Sequence, residues 1–261
     1  MHMIKGVLLK SPEEVQKIAH ACRTARAILA EIQGKVRIGI KTSQIDIWAR
    51  ELCTKSHVHP AFLGYKGYPA AICVSINEEV VHGIPGQRIL EEGDVVSLDF
   101  GVRYEEYYGD TALTFVLGKP KDARVIELLK ATETALWKGI EKATPGSRIG
   151  DVSASIQRTV EGKGFSVVRE FVGHGLGRHL HEEPQIPGYG QEGTGLRIQP
   201  GMVFAIEPMA NIGAYNVEIL KDGWTAVTKD RSISAHFEHT LVVTEGGNEV
   251  LTLVSAAVTG S

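Results

Sequence analysis

Acidic residues stand inside strand-like apolar runs of this chain, and they do so twice over at matching positions. EGDVVSLDF around Gly93 aligns with PGMVFAIEP around Gly201, and YGDTALTFVLG at Tyr108 aligns with HFEHTLVVTEG at His236. GIKTSQID at Gly39 likewise aligns with GSRIGDVS at Gly146. Asp99 then falls on Glu207 and Asp110 on Glu238, so acid meets acid in both strand pairs. His82 in VVHGIPG also falls on His174 in VGHGLGR, if the second half carries extra residues after its histidine. Self-similarity of this kind marks two related structural halves. They run from about 11 to 120 and from 121 to 253, within a single domain expected to span residues 1–261.

Strand alternation places these acids. Successive side chains of a strand point to opposite faces. Asp99 shares a face with Val95 and Ser97, and Glu207 shares one with Val203 and Ala205. Asp110 goes with Ala112 and Thr114, and Glu238 with Thr240. The opposite faces carry the bulk: Val96, Leu98 and Phe100, then Phe204 and Ile206, then Leu113 and Phe115. That is the pattern of a sheet covered by helices on one face, with a site among small side chains on the other.

A hairpin turning near Tyr104–Glu105 would set Asp99 directly opposite Asp110, with Cβ atoms about 4.5–5.5 Å apart. Two ionised carboxylates that close repel and are costly to bury, so they share a proton or hold a cation. One acid alone is as readily a strand-end turn residue. Four in matched positions balance the charge of two divalent ions. A hydrolytic pair of metals about 3.5–4 Å apart suits carboxylates at this spacing. At least one histidine is needed to complete the set, and His174, flanked by glycines, could be aimed from a strand end into a cleft. Carboxylate-rich ligation without thiolate suits Mn, Fe or Co better than a structural zinc.

Helices are expected to supply the covering layer. Ser11, Pro12 and Glu14 fit an N-cap, a first-position proline and a capping box. Val15, Ile18, Ala19, Cys22, Ala25, Leu29 and Ile32 then mark one apolar helical face. Further helices are expected from Thr42–Ser43 toward Cys53, near Ala123–Ala143 and over Gly150–Gly162. Strands are expected at Ala71–Ile76, Val95–Phe100, Thr111–Leu117, Val167–Val172, Met202–Ile206, Val217–Leu220, Trp224–Thr228 and Thr240–Thr244.

Several function classes drop out. A formal net charge of −3 gives no electrostatic case for nucleic acid or an acidic membrane. No apolar run approaches the roughly 18–20 residues of a membrane span. MHMIKGVLLKSPEE is charged too soon for a signal peptide. Cys22, Cys53 and Cys73 form no CxxC pair, which favours reduced thiols in the cytosol. GHGLGR fails the dinucleotide GxGxxG because position 178 is arginine, and HEEPQ lacks the second histidine of a zinc helix. There is no GK[ST] phosphate loop and no GxSxG elbow.

Taken together, VVHGIPG, GHGLGRHLHEEP, GMVFAIEP and FEHTLVVT, with Asp99, Asp110, His174, Glu207 and Glu238, resemble type I methionine aminopeptidases of the short bacterial form. The resemblance runs from about Ile4 to Leu253. It implies an α/β (α+β) class and the pita-bread (creatinase/aminopeptidase-like) fold: pseudo-twofold halves, a curved antiparallel sheet and helices on its outer face. It implies two divalent metal ions, Co, Mn or Fe, with Zn as an alternative. Asp99 would bind one ion with both oxygens, Asp110 and Glu238 would bridge the pair, and His174 and Glu207 would complete the other. Water held between the ions would attack the peptide carbonyl, with Glu207 handling its proton. His82 and His181 would hydrogen-bond the substrate near the scissile bond and steady the tetrahedral intermediate. Phe62, Tyr65, Tyr68, Cys73, Leu180 and Trp224 would line the pocket for the methionine side chain.

The same resemblance implies a monovalent-cation site at backbone oxygens near Asn77 and Ser234. The substrate would be the N-terminal Met of nascent polypeptides, followed by a small residue. Ribosome association, a cytoplasmic location and a monomeric state are further expectations, without membrane or direct nucleic-acid binding. His236 and His239 are expected to be packing or surface residues, not metal ligands. The chain departs from the usual pattern at Phe62, Lys66, Leu180 and His236; the first three border the expected pocket. Two rival functions stand beside this one. A peptidase of the same fold acting next to proline usually carries an extra N-terminal domain. A non-catalytic fold member would tend to lose ligands, and here all five are present.

Overall fold

The computed structural model describes residues 2–4 and 6–253. Met1, Lys5 and 254–261, which the single-domain expectation includes, lie outside the described residues. The first helix, α1 (Pro12–Lys35), starts as the sequence dictates. The Ser11 hydroxyl accepts from the Glu14 N–H, and the Glu14 carboxylate accepts from the Ser11 N–H. Its buried stripe is the expected one with Ala21 and Ile28 added, while Val15 is half-buried. The other α-helices among the described residues are α2 (Thr42–Lys55), α3 (Arg124–Lys142) and α4 (Ile149–Glu161).

One nine-stranded antiparallel sheet carries the architecture. Its strands are β1 (His59–Pro60), β2 (Cys73–Ile76), β3 (Val95–Tyr104), β4 (Tyr107–Val116), β5 (Gly173–Gly175), β6 (Glu182–Ile186), β7 (Val203–Ile206), β8 (Glu238–Thr244) and β9 (Gly247–Val250). The order is β6–β5–β7–β8–β4–β3–β1, with β2 also paired to β3 and β9 to β8. Outward from the β4–β8 junction, one side reads β3 then β2, and the other reads β7 then β5. Short strands Val217–Ile219 and Ala226–Thr228 form a separate small sheet with Glu79–Val81.

The core lies on the bulky face. Val96, Leu98, Phe100, Phe204 and Ile206 are fully buried there with Leu29, Ile32, Leu128 and Leu136 of the helices. At Gly109 of β4, helix α1 passes so close that a Cβ would meet its backbone at Ala21–Cys22.

Two local expectations are corrected. Val167–Val172 is not one strand: only Ser166–Val167 pairs, and the chain bends at Arg169–Phe171. The charged Arg169 and Glu170 are exposed, and the Arg169 guanidinium lies 4.2 Å from the Tyr215 ring centroid. The β3–β4 hairpin turns one residue later than expected, with Tyr104 paired to Tyr107. Asp99 is therefore opposite Ala112 and Asp110 opposite Gly101; the two acids are diagonal neighbours on one face, not a direct pair.

Candidate active site

Register determines which side chains meet. Ala112 on β4 pairs with Asp99 on one side and Glu238 on the other. Asp99 pairs in turn with Cys73. Ile206 pairs with His239, so Glu207, the next residue, stands beside Glu238. These residues form one row across the sheet. The neighbouring row on the same face holds Gly101 opposite Asp110, then Thr240, whose hydroxyl donates to the Asp110 carbonyl at 2.8 Å. Ala205 completes it, paired with both Thr240 and His174. All five expected ligands thus fall in two adjacent rows, separated by Ala112, Ala205, Thr240 and Gly101. A Cβ at Gly101 would lie 3.1 Å from Asp110 Oδ1, so the spacers leave room for the acids.

The motif glycines have a steric origin. A Cβ on Gly173 would collide with the Ala205 carbonyl, and one on Gly175 with the Glu183 carbonyl, because β5 is squeezed between β7 and β6. His174 between them is buried and projects into the site. Its Nδ1 lies 3.0 Å from the Gly175 carbonyl oxygen, which can only accept, so Nδ1 carries the proton. Nε2 is left as a lone pair, 3.4 Å from Glu207 Oε1 and 4.0 Å from Asp110 Oδ2. Ligand atoms of Asp110, His174 and Glu238 lie within 4.8 Å of one another.

Electrostatics explains why this cluster needs a cation. Burial pushes the Asp110 carboxyl up to about 7. Asp99, Glu207 and Glu238 are also held well above the usual carboxylate range, by burial first and then by neighbouring acids, Asp110 acting on all three and Asp99 on both glutamates. His174 is pushed down to about 4 by burial, so its imidazole is neutral at pH 7. Asp99 Oδ1 and Glu238 Oε1 are buried without a hydrogen-bond partner among the described residues. Four buried or half-buried acids, two of them with orphaned oxygens, and one neutral imidazole lone pair fit divalent cations, which would supply the missing charge and ligation.

The acids form the floor of a cavity of about 270 Å³. Phe62, Tyr65, Tyr68, Cys73, Leu180 and Trp224 line it, as do His82 and His181. Tyr68 is fixed by donating to the Gly83 carbonyl at 2.8 Å and by edge contact with Trp224. His181 lies at the rim with its ring centroid 4.2 Å from that of His174. Its Nδ1 is 2.8 Å from the Tyr65 hydroxyl. Burial first, then the neighbouring His174 and Lys66, hold its pKa below the ordinary histidine value. His82 adopts a left-handed φ of 60° and meets Phe171 edge-on, with centroids 5.2 Å apart.

Sequence reasoning missed Phe171, Val172, Val81 and Glu170, which line the same cavity. The available signal was position: Val172 and Val81 open VGHGLGR and VHGIPG, and Glu170 and Phe171 directly precede the first. His239 packs as expected, against Trp137 and within 2.8 Å of the Thr252 hydroxyl. His236 is buried too, but its otherwise unpartnered Nε2 faces Glu207 Oε2 at 3.6 Å.

A sheet-borne acid and histidine cluster under an apolar cavity defines a metal-dependent hydrolase site, and comparison with known proteins places it. The model of metallopeptidase family M24 matches residues 16–245, and the chain belongs to that family. Methionine aminopeptidase 1 of Bacillus subtilis is 46% identical over 95% of this chain and 100% of its own length. The solved methionine aminopeptidase of Thermotoga maritima superposes with a TM-score of 0.93 at 46% identity, covering 95% of this chain and 100% of that one. The prolidase of Pyrococcus furiosus superposes with a TM-score of 0.77 at 22% identity, covering 95% of this chain and 66% of that one, a likeness of fold alone. The curved sheet with its helical layer is the pita-bread fold.

Proposed function

We propose that this chain is a metal-dependent aminopeptidase that removes N-terminal methionine, preferring a small second residue. The observation that carries the reading is the convergence of four carboxylates, Asp110 and Glu238 fully buried and Asp99 and Glu207 half-buried, with a neutral imidazole at the floor of an apolar, aromatic cavity. The likeness to methionine aminopeptidases over nearly the whole chain supports the choice of substrate.

In this reading Asp99, Asp110, His174, Glu207 and Glu238 hold two divalent ions, the number their charge balances. Bound ions would lower the pKa of a bound water toward neutrality and polarise the peptide carbonyl. Glu207 takes up a proton at its carboxylate and returns it to the departing amine; its raised proton affinity suits that exchange. His82 and His181 donate hydrogen bonds to the carbonyl oxygen and the peptide as charge develops. The methionine side chain fills the cavity between Phe62, Tyr65, Tyr68, Leu180 and Trp224, where sulfur–aromatic contacts contribute about 0.3–1.5 kcal/mol. The second residue passes between His82 and His181, close to the acids, which favours Gly, Ala or Ser. A monovalent cation near Asn77 and Ser234 belongs to the same reading; the Ser234 N–H donates to the Asn77 carbonyl at 2.9 Å, so the two backbones already meet.

Mass spectrometry of peptides incubated with Mn- or Co-loaded protein tests this. Met-Gly-Met-Met should lose one methionine, a Met-Trp peptide should be spared, and Xaa-Pro dipeptides should survive. Cleavage beside proline with Met-Gly-Met-Met intact would assign the site to the proline-specific branch of the fold.

A further inference from the structure

The cavity mouth carries a charge that the proposed chemistry does not use. Lys66 lines the cavity, is exposed, and makes no ion pair among the described residues. Its position is set by the backbone. Lys66 has a left-handed φ of 49°, between Gly64 at 80° and Gly67 at 90°. The turn is closed by the Tyr65 N–H on the Phe62 carbonyl and the Tyr68 N–H on the Tyr65 carbonyl, both at 2.9 Å. A lysine is uncommon in that conformation, and the turn holds it there.

Contacts lead outward from the acids to this ammonium. His174 meets the His181 ring, His181 Nδ1 meets the Tyr65 hydroxyl, and the Lys66 ammonium sits 5.4 Å from the Tyr65 ring centroid. An extended peptide advances about 3.3–3.6 Å per residue. With the methionine carbonyl at the acids, the second residue would lie beside His181 and the third would reach the rim at Lys66. The other charge at the mouth is Glu170, on the side of Phe171 and His82.

We propose that Lys66 makes the enzyme favour substrates with an acidic side chain at the third residue. The inference rests on the aminopeptidase reading and adds a charge preference beyond the methionine and the small residue that follows it.

The test compares kcat/KM for Met-Ala-Glu-Ser, Met-Ala-Gln-Ser and Met-Ala-Lys-Ser at low ionic strength. Exposed ion pairs are weak, so Glu should be favoured over Gln by about two- to five-fold, mostly through KM. High salt should compress the ratio. Lys66→Gln should abolish the preference and Lys66→Glu should invert it. An unchanged ratio in Lys66→Glu, or a wild-type preference for the lysine peptide, would overturn the inference; the latter would hand control of the mouth to Glu170. If none of the three peptides lost methionine, the aminopeptidase reading would fall and the inference with it. Equal turnover of all three would remove the inference alone.

Discussion

Replacing Asp110 with Asn should make the metal-free protein more stable and the metal-supplied protein less so. Asp110 is buried beside Glu238 and His174, and its carboxyl is pushed up to about 7 from an unfolded value near 3.8. The folded protein therefore binds that proton more tightly than the unfolded chain does. Without metal, the proton's contribution to stability is complete below about pH 4 and is lost as pH rises to about 7. Three pH units correspond to about 4 kcal/mol, an upper figure that water entry and relaxation reduce to about 1–4 kcal/mol. For a chain of this size each kcal/mol moves Tm by about 2–4 °C. Asp110→Asn should thus raise the metal-free Tm at about pH 7.5 by roughly 2–16 °C. With metal, the order reverses. Two ions, each at one hundred times its Kd, stabilise the wild type by about 5.4 kcal/mol, more than the variant's metal-free gain, and the variant loses most of that. Thermal melts with chelator and with Mn, at about pH 5 and pH 7.5, provide the assay. A variant less stable than wild type in chelator at the higher pH, or a metal-free wild type whose Tm does not fall between the two pH values, would refute the reasoning.

Other substitutions separate binding from chemistry. His82→Ala and His181→Ala should retain metal near wild-type levels while losing about 10²–10³ in kcat, read by metal analysis beside steady-state kinetics; loss of metal would move either residue into the ligand set. Gly175→Ala should cost at least about 1–3 kcal/mol and lower metal occupancy, because its Cβ meets the Glu183 carbonyl and displaces the strand bearing His174; an unaltered melt and metal content would contradict this. Phe62→Cys should admit bulkier first residues and Leu180→Phe should sharpen discrimination, each by about 1–3 kcal/mol in competition kinetics on X-Gly-Met-Met peptides. Indifference to both would mean the methionine pocket lies elsewhere.

Face and partner were unequally legible in the sequence. Alternation alone put Asp99, Asp110, Glu207 and Glu238 on the small-residue face, and Val96, Leu98, Phe100, Phe204 and Ile206 in the core, where they are. The direct Asp99–Asp110 pair failed because RYEEYYG has no Asn-Gly or Asp-Gly to mark its turn. Glu105 adopts φ 52° there instead. Moving a turn by one residue shifts each partner by two, which preserves faces and changes neighbours. The capping box of α1 was legible because it is local. Phe171 and Glu170 were not, because a chain bend after Val167 brings them to the cavity. The proximity of His236 Nε2 to Glu207 likewise depends on the pairing of separate strands.

Titrating metal into chelated protein, while following bound metal and methionine release from a Met-Ala peptide together, tests the central claim most directly. The account predicts no release without metal, and release that rises with occupancy toward two ions per chain. Full turnover in a sample whose metal content stays near zero would contradict it.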